Sequence, residues 1–396
     1  MKRPLALLLF LLFCFSSPGR PETVAVLPLY NASGKPAVEW IGVSAAEAIR
    51  EALSEAGILA LARDAVAEAH RRLGIRERAL MTRASVIKIA ETLDAEKVVF
   101  GSFHWIPAEN GGGKNSLRFV LRVVDIPNMK QSPEFGHTAA IDDLAVIQNR
   151  LAWQTLRLLR PDSAPSEEVF LQSHPPARVD AIENYVRGLL ATQTEQKHRF
   201  FTQAARLDQN YSRPRMALGR LLWEQENYKA AAEWFAKIQP TDSRYFEANF
   251  FLGLCRFYMG DYAGAQAAFE TVVREVPLNE VFNNLGAAQS RRDRPEAIEN
   301  FRKALEGDTS DPDYYFNLGY ALWKRGEFAE AAQNFRAVLE RDPEDAEAIL
   351  MLGRCLKQAG PRASKDAAST PLERVKEEFH ETAFRQLKEA LERKSR

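Results

Sequence analysis

The chain has 396 residues, 46% of them hydrophobic, enough for two or three cored domains and too apolar for a disordered polypeptide. Lys plus Arg number 53 and Asp plus Glu number 53, so the formal net charge at pH 7 is zero. That balance argues against nucleic acid as a partner, because nothing favours a phosphate backbone electrostatically.

Met1-Lys2-Arg3 are basic, and Leu5 to Phe15 form an apolar run ending at Ser16-Ser17-Pro18-Gly19. This pattern predicts a secretory signal over residues 1–19 and an exported protein, periplasmic or peripherally associated with the cell envelope. The run is shorter than the ~20 apolar residues of a spanning helix, and no later segment is longer without charges, so no integral membrane span is expected in the mature chain. Cys14 follows Phe13 rather than the small residues that precede a lipoprotein cysteine, which disfavours lipidation. Cys255 and Cys355 fall at equivalent places three repeats apart, too far for a bond needing Cα atoms within ~7 Å, and read as packed thiols.

Residues 20–160 alternate strand-like and helix-like segments. Thr23 to Leu29 reads as a β-branched apolar strand, Val38 to Ala56 as an alanine-rich helix and Ile58 to Ala62 as a short strand. Helices are expected near Ala65 to Leu73 and Ala84 to Leu93, then strands at Lys97 to Trp105, Leu117 to Asp125 and Glu134 to Ala140. The break at Glu109 to Lys114 makes the first two of these a hairpin. An amphipathic helix carrying Leu144, Ile147, Leu151, Leu156 and Leu159 closes an α/β domain with a mixed sheet. The Pro- and Ser-containing stretch within residues 161–179 reads as a linker.

Over residues 180–360 the organisation changes. Gly219, Gly253, Gly286, Gly319 and Gly353 recur at spacings of 34, 33, 33 and 34, each preceded by leucine. Ala231, Ala265, Ala297 and Ala331 follow the first four glycines by 11 or 12 residues, and Phe235, Phe269, Phe301 and Phe335 lie four residues further on. Leucine and phenylalanine then line facing stripes of two antiparallel helices, while glycine and alanine let the helices approach. An earlier, degenerate unit carries Tyr185, Gly188, Phe201 and Ala204, giving about five to six hairpins. The unit of Gly286 is one residue short before Ala297 and has Arg294-Pro295 where its neighbours have an aromatic, so a tighter, less well packed turn is expected there. In residues 361–396, Leu372, Val375, Phe379, Ala383, Leu387 and Leu391 read as one amphipathic helix capping the open end of an all-α superhelical solenoid.

These spaced residues resemble the tetratricopeptide repeat family, which implies a helical solenoid that binds other proteins. The run Val24 to Ser33, with Gly42 and Leu93 to Gly101, resembles the amino-terminal domain of TolB-like bacterial envelope proteins and is similar to modules of curli-secretion and flagellar outer-membrane accessory proteins. Leu29 stands where that family has phenylalanine, and no propeller half follows, so the function of TolB as a whole does not carry over.

No catalytic residue, metal site or cofactor is expected. The six histidines show no metal-ligand spacing, Gly111-Gly112-Gly113-Lys114 lacks the following helix of a phosphate loop, and no serine sits in a nucleophile-elbow context. The chemistry lies instead on the concave wall that the first helix of each unit presents. Counting from the glycines places Trp223, Phe250, Leu254, Phe257 and Tyr258 there. The same count adds Phe316, Tyr320 and Trp323, and the amides Asn284 and Asn317, which in peptide-binding relatives hold the ligand backbone. The reading is an aromatic groove for an extended or helical peptide, weighed against aromatics that only pack between hairpins. Two functions stay open: an adaptor whose α/β module docks to an envelope component while the solenoid holds a second protein, or a structural accessory of an outer-membrane export apparatus that oligomerises through its α/β modules.

Overall fold

The computed structural model describes residues 22–108, 114–361 and 372–395. The expected signal over residues 1–19 and the glycines of the 111–114 hairpin tip lie outside them.

The amino-terminal elements are β1 (Thr23–Val26), β2 (Tyr30–Asn31), α1 (Trp40–Glu55), β3 (Leu59–Ala60), α2 (Arg63–Leu73) and α3 (Arg83–Leu93). There follow β4 (Lys97–Ile106), β5 (Ser116–Asp125), β6 (Lys130–Gln131), β7 (Thr138–Ala140) and α4 (Leu144–Leu159). The sheet is mixed, as the pattern predicts: β1 is parallel to β3 and β4, and β4 pairs antiparallel with β5 from Lys97↔Asp125 to Ile106↔Ser116. Alternation along β4 sends Val98 and Phe100 toward α2 and α3, and Val99 and Phe103 toward α1 and α4. Gly42 is required where α1 meets the sheet, since a Cβ there would lie 2.1 Å from the Leu29 carbonyl oxygen. The strand expected over 134–140 shrinks to β7 and an isolated bridge, Leu121↔Phe135, while β2 and β6 are too short to show a period in sequence.

The stretch expected as a linker holds a helix, α5 (Glu167–Ser173), whose Ser166 hydroxyl accepts from Val169 N. Phe170 is buried and stacks on His174 with ring centroids 4.0 Å apart. The apolar core beneath α1 and α4 continues without interruption through Phe170 into Ile182, Tyr185, Phe201 and Leu218 of the first repeats. The two halves therefore share a core.

The hairpins are α6 (Val179–Leu190) with α7 (Thr194–Leu207), α8 (Arg213–Glu224) with α9 (Tyr228–Phe235), and α10 (Tyr245–Tyr258) with α11 (Tyr262–Glu275). Next come α12 (Asn279–Ser290) with α13 (Glu296–Gly307), α14 (Pro312–Lys324) with α15 (Phe328–Arg341), and α16 (Ala346–Leu356). The repeat spacing has a direct cause: in the first four units the phenylalanine ring of the second helix packs tightly against the glycine of the first. A Cβ on Gly188, Gly219, Gly253 or Gly286 would stand 2.4, 2.5, 2.6 or 2.7 Å from Cε1 of Phe201, Phe235, Phe269 or Phe301. Seven residues after each of four glycines the chain turns through a left-handed residue: Glu226 (φ 57°), Gly260 (79°), Asp293 (54°) and Gly326 (81°). The turn in the Gly286 unit is longer than its neighbours rather than tighter, spanning 291–295, because Pro295 delays the start of α13 and supplies no side-chain cap.

The last segment departs from expectation. Residues 372–380 are not helical, and the final helix, α17, covers only Glu381–Ser395. It does not cap the open end. Phe384 is buried against Phe246 of α10, Gln386 Nε2 donates to Gly57 O at 3.0 Å just after α1, and Arg385 Nη2 donates to Ser243 O at 2.5 Å. Ile349, Leu350 and Leu356 of α16 stay exposed. Among the described residues no helix is long and apolar enough to cross a membrane.

A candidate peptide groove

The concave wall is formed by α10, α12, α14 and α16, and residues 372–380 lie along it. Asn284 and Asn317, both fully buried, stand two residues before Gly286 and Gly319 and point their amides at the same segment. Asn317 Nδ2 donates to Arg374 O at 2.6 Å and its Oδ1 accepts from Arg374 N at 2.7 Å. Asn284 does the same for Lys376, at 2.7 Å in each direction. Arg374 and Lys376 are alternate residues, so an extended chain presents both to the same side.

Charge is matched along the segment. Arg374 pairs with Asp313 (3.2 Å), Asp345 (2.7 Å) and Glu347 (2.9 Å), and its guanidinium lies 3.7 Å from the Phe316 ring centroid. Lys376 reaches Asp311 and Asp313 at 2.7 and 2.6 Å. Burial alone would lower the Lys376 ammonium, but hydrogen bonds to these two carboxylates hold it above its ordinary value. Burial likewise works against the Asp345 carboxylate, yet the Arg374 hydrogen bond keeps it below the usual range. In the opposite sense, the buried Glu373 accepts from Ser290 Oγ at 2.6 Å and pairs with Arg291 at 2.5 Å.

The other positions divide. Phe250 is buried and meets the Phe379 ring at 5.4 Å, and Tyr258, 41% exposed, donates its hydroxyl to Glu377. Leu254 and Phe257 are buried in the repeat core, with Phe257 facing Tyr262 of α11. Tyr320 and Trp323 pack on each other at 5.6 Å, and Trp323 Nε1 donates to Ala359 O at 2.7 Å. Trp223 is half-buried between Tyr228, Phe251 and Tyr258. Phe250, Tyr258, Asn284, Phe316 and Asn317 thus face the segment, whereas Leu254, Phe257, Trp323 and Trp223 mainly join hairpins.

Sequence reasoning misses Asn283, Ser290 and Arg291. Asn283 Nδ2 donates to Arg374 O at 2.8 Å and its Oδ1 accepts from Asn317 Nδ2 at 2.7 Å. The signal was present: Asn283 stands three residues before its glycine, as Phe250 and Phe316 do, and Ser290 four after, as Phe257 and Trp323 do. The thiols of Cys255 and Cys355 are buried, and burial pushes them up to about 12 and about 11, which makes them inert packing groups.

A second cleft, of about 1050 Å³, lies between the sheet domain, α5, the first repeats and α17. Behind its wall Glu51 is buried between Arg213 and Arg244, and in the cleft Glu55 accepts from His174 Nε2 at 2.9 Å and Ser243 Oγ at 2.8 Å. Opposed burial notwithstanding, the His174 hydrogen bond and the Arg244 charge hold the Glu55 carboxyl at about 2. Glu51, Glu55, His174, Arg213 and Arg244 are matched with one another, which suits a domain junction.

Residues 179–356 are therefore a solenoid of tetratricopeptide-type helical hairpins. The tetratricopeptide repeat model matches residues 198–245, 252–312, 286–346 and 316–369. Among solved structures, the chain is similar to YrrB, described as a TPR protein with an unusual peptide-binding site, at 25% identity over 40% of this chain and 84% of that one, with a TM-score of 0.36. MamA 41-end from Desulfovibrio magneticus RS-1 is similar at 24% identity over 40% and 92%, TM-score 0.38. Pseudomonas aeruginosa pilF is similar at 21% identity over 46% and 87%, TM-score 0.37. No curated protein sequence matches the chain.

Proposed function

We propose that this protein is an exported, non-enzymatic scaffold that holds a protein segment in the concave groove of its solenoid while the α/β module docks to an envelope component. The observation that carries the groove reading is the paired grip of Asn284 and Asn317 on the backbone of an extended segment. Side-chain amides that bind main chain supply affinity for any extended peptide, and flanking charges supply selectivity. Export rests on the basic and apolar pattern of residues 1–19, and envelope docking on the TolB-like run from Val24 to Ser33.

Crosslinking and mass spectrometry on an envelope extract test this reading, with the mature chain compared against a Tyr258→Ala, Asn317→Ala variant. Tyr258 is exposed, so its truncation spares the core in a way that truncating the buried Phe257 or Trp323 does not. Partners lost only from the variant support the groove; an identical capture profile moves binding to the α/β module. Light scattering on the mature chain separates an adaptor from a self-assembling accessory, which would give a defined multimer.

A further inference from the structure

Residues 372–380 occupy the groove as a ligand would, and we infer that they are a built-in ligand, exchangeable for an extended partner peptide of the pattern acidic, basic, any, basic, with an aromatic three residues later. This rests on the protein-binding reading above and names the partner's chemistry.

Three observations carry it. First, the segment has no regular secondary structure, and its main chain is gripped by side chains of the wall, Asn317 and Asn283 at Arg374 and Asn284 at Lys376. Secondly, the wall's charges are complementary to this segment and face it: Arg291 meets Glu373, while Asp313, Asp345 and Glu347 meet Arg374. With the segment absent, a cluster of carboxylates would stand uncompensated around α14 and α16, and a basic residue is what such a cluster selects. Thirdly, the hairpins close through their own glycine–phenylalanine pairs without the segment, whose apolar contribution is confined to Val375 and Phe379 on the wall, and the three asparagines face the groove, where water would satisfy them once it empties.

A tethered segment acts at an effective concentration on the order of mM, so a free peptide of equal intrinsic affinity competes poorly until the tail is weakened. The partner's segment must therefore outbid the tail through better charge matching or through contacts elsewhere on the chain.

The test uses the full chain and a fluorescein-labelled peptide of residues 372–380, read by anisotropy. A tail variant, Glu373→Ala, Arg374→Ala, Lys376→Ala, should bind this peptide at least about tenfold more tightly than the unchanged chain does. Adding Asn284→Ala and Asn317→Ala should abolish that binding, and a charge-reversed peptide should not bind. A folded tail variant, verified by circular dichroism, that ignores the peptide overturns the proposal. So does a concentration-dependent dimer of the unchanged chain that the tail variant lacks, which would assign the groove to a second copy's tail. Hydrogen exchange on the unchanged chain gives a reading that needs no variant: amides of Arg374 and Lys376 should exchange by local opening, well before those of α12 and α14. Exchange in step with those helices would make the tail a fixed part of the fold and sink the inference. The crosslinking comparison separates this from the scaffold reading. Groove-dependent capture equal in the unchanged chain and the tail variant refutes the built-in ligand alone, and peptide binding without any groove-dependent partner refutes the scaffold alone.

Discussion

Asn284 holds Lys376 by both main-chain polar groups, donating to its carbonyl oxygen and accepting from its N–H at 2.7 Å each. Neither bond depends on the lysine side chain, and while the tail is seated Asn284 is buried, so water does not freely replace a partner lost there. Removing them with Asn284→Ala should loosen the tail by about 1–3 kcal/mol. Trypsin reads this directly, because it cuts after Arg374 and Lys376 once they leave the wall. Cleavage there should rise on the order of tenfold or more while the repeat helices stay intact, and an unchanged rate would mean that the side-chain ion pairs alone hold the segment.

Glycine-to-alanine replacement in a helix normally stabilises by about 0.5–1 kcal/mol. At Gly253 the sign should reverse, since the new Cβ would stand 2.6 Å from Phe269 Cε1 in a core without slack, at a cost of about 1–3 kcal/mol. Gly353 meets nothing within 4 Å, so Gly353→Ala should stabilise in the ordinary way. Urea unfolding of the two variants side by side decides it, and equal shifts would refute the ring-on-glycine account.

Glu226 turns with φ 57°, where the equivalent repeats use Gly260 and Gly326. A side chain in that region is strained by roughly 1 kcal/mol, and Glu226→Gly relieves it. The variant should melt a few degrees higher, and a lower melting temperature would show that the Glu226 side chain contributes more than its backbone strain removes.

Stability should fall as pH rises through neutrality. Burial and Arg213 push the His174 imidazole down, but the hydrogen bond and charge of Glu55 raise it above its ordinary value of 6.5. A raised folded-state value means the contribution is complete below ~6.5 and disappears as pH climbs through the raised value. Denaturation at several pH values from ~6 to ~9 should show this decline in the unchanged chain and a flatter profile in His174→Gln. A histidine NMR titration with an ordinary midpoint for His174 would contradict the assignment.

The repeats were legible because each carries its own closing pair, such as Gly253 and Phe269, at a spacing that local sequence alone sets. The same offsets brought Asn284 and Asn317 to the wall. The tail was not legible: Leu372, Val375 and Phe379 sit at helical spacing, and what keeps that stretch extended is the amide pair at 284 and 317, distant in sequence. Glu373 reads as a solvated charge until Arg291 and Ser290 are placed around it. The α5 helix hid in a polar, proline-bearing stretch because its only core residue is Phe170.

The tail is fastened beside α16 through Asp345 and against the sheet domain through Gly57. Stacked hairpins touch only their neighbours and flex like a coil spring. A segment joined at both ends gives these hairpins a contact beyond their nearest neighbours. The tail thus links the last helix of the stack to the sheet domain directly, across the repeats that lie between them in sequence.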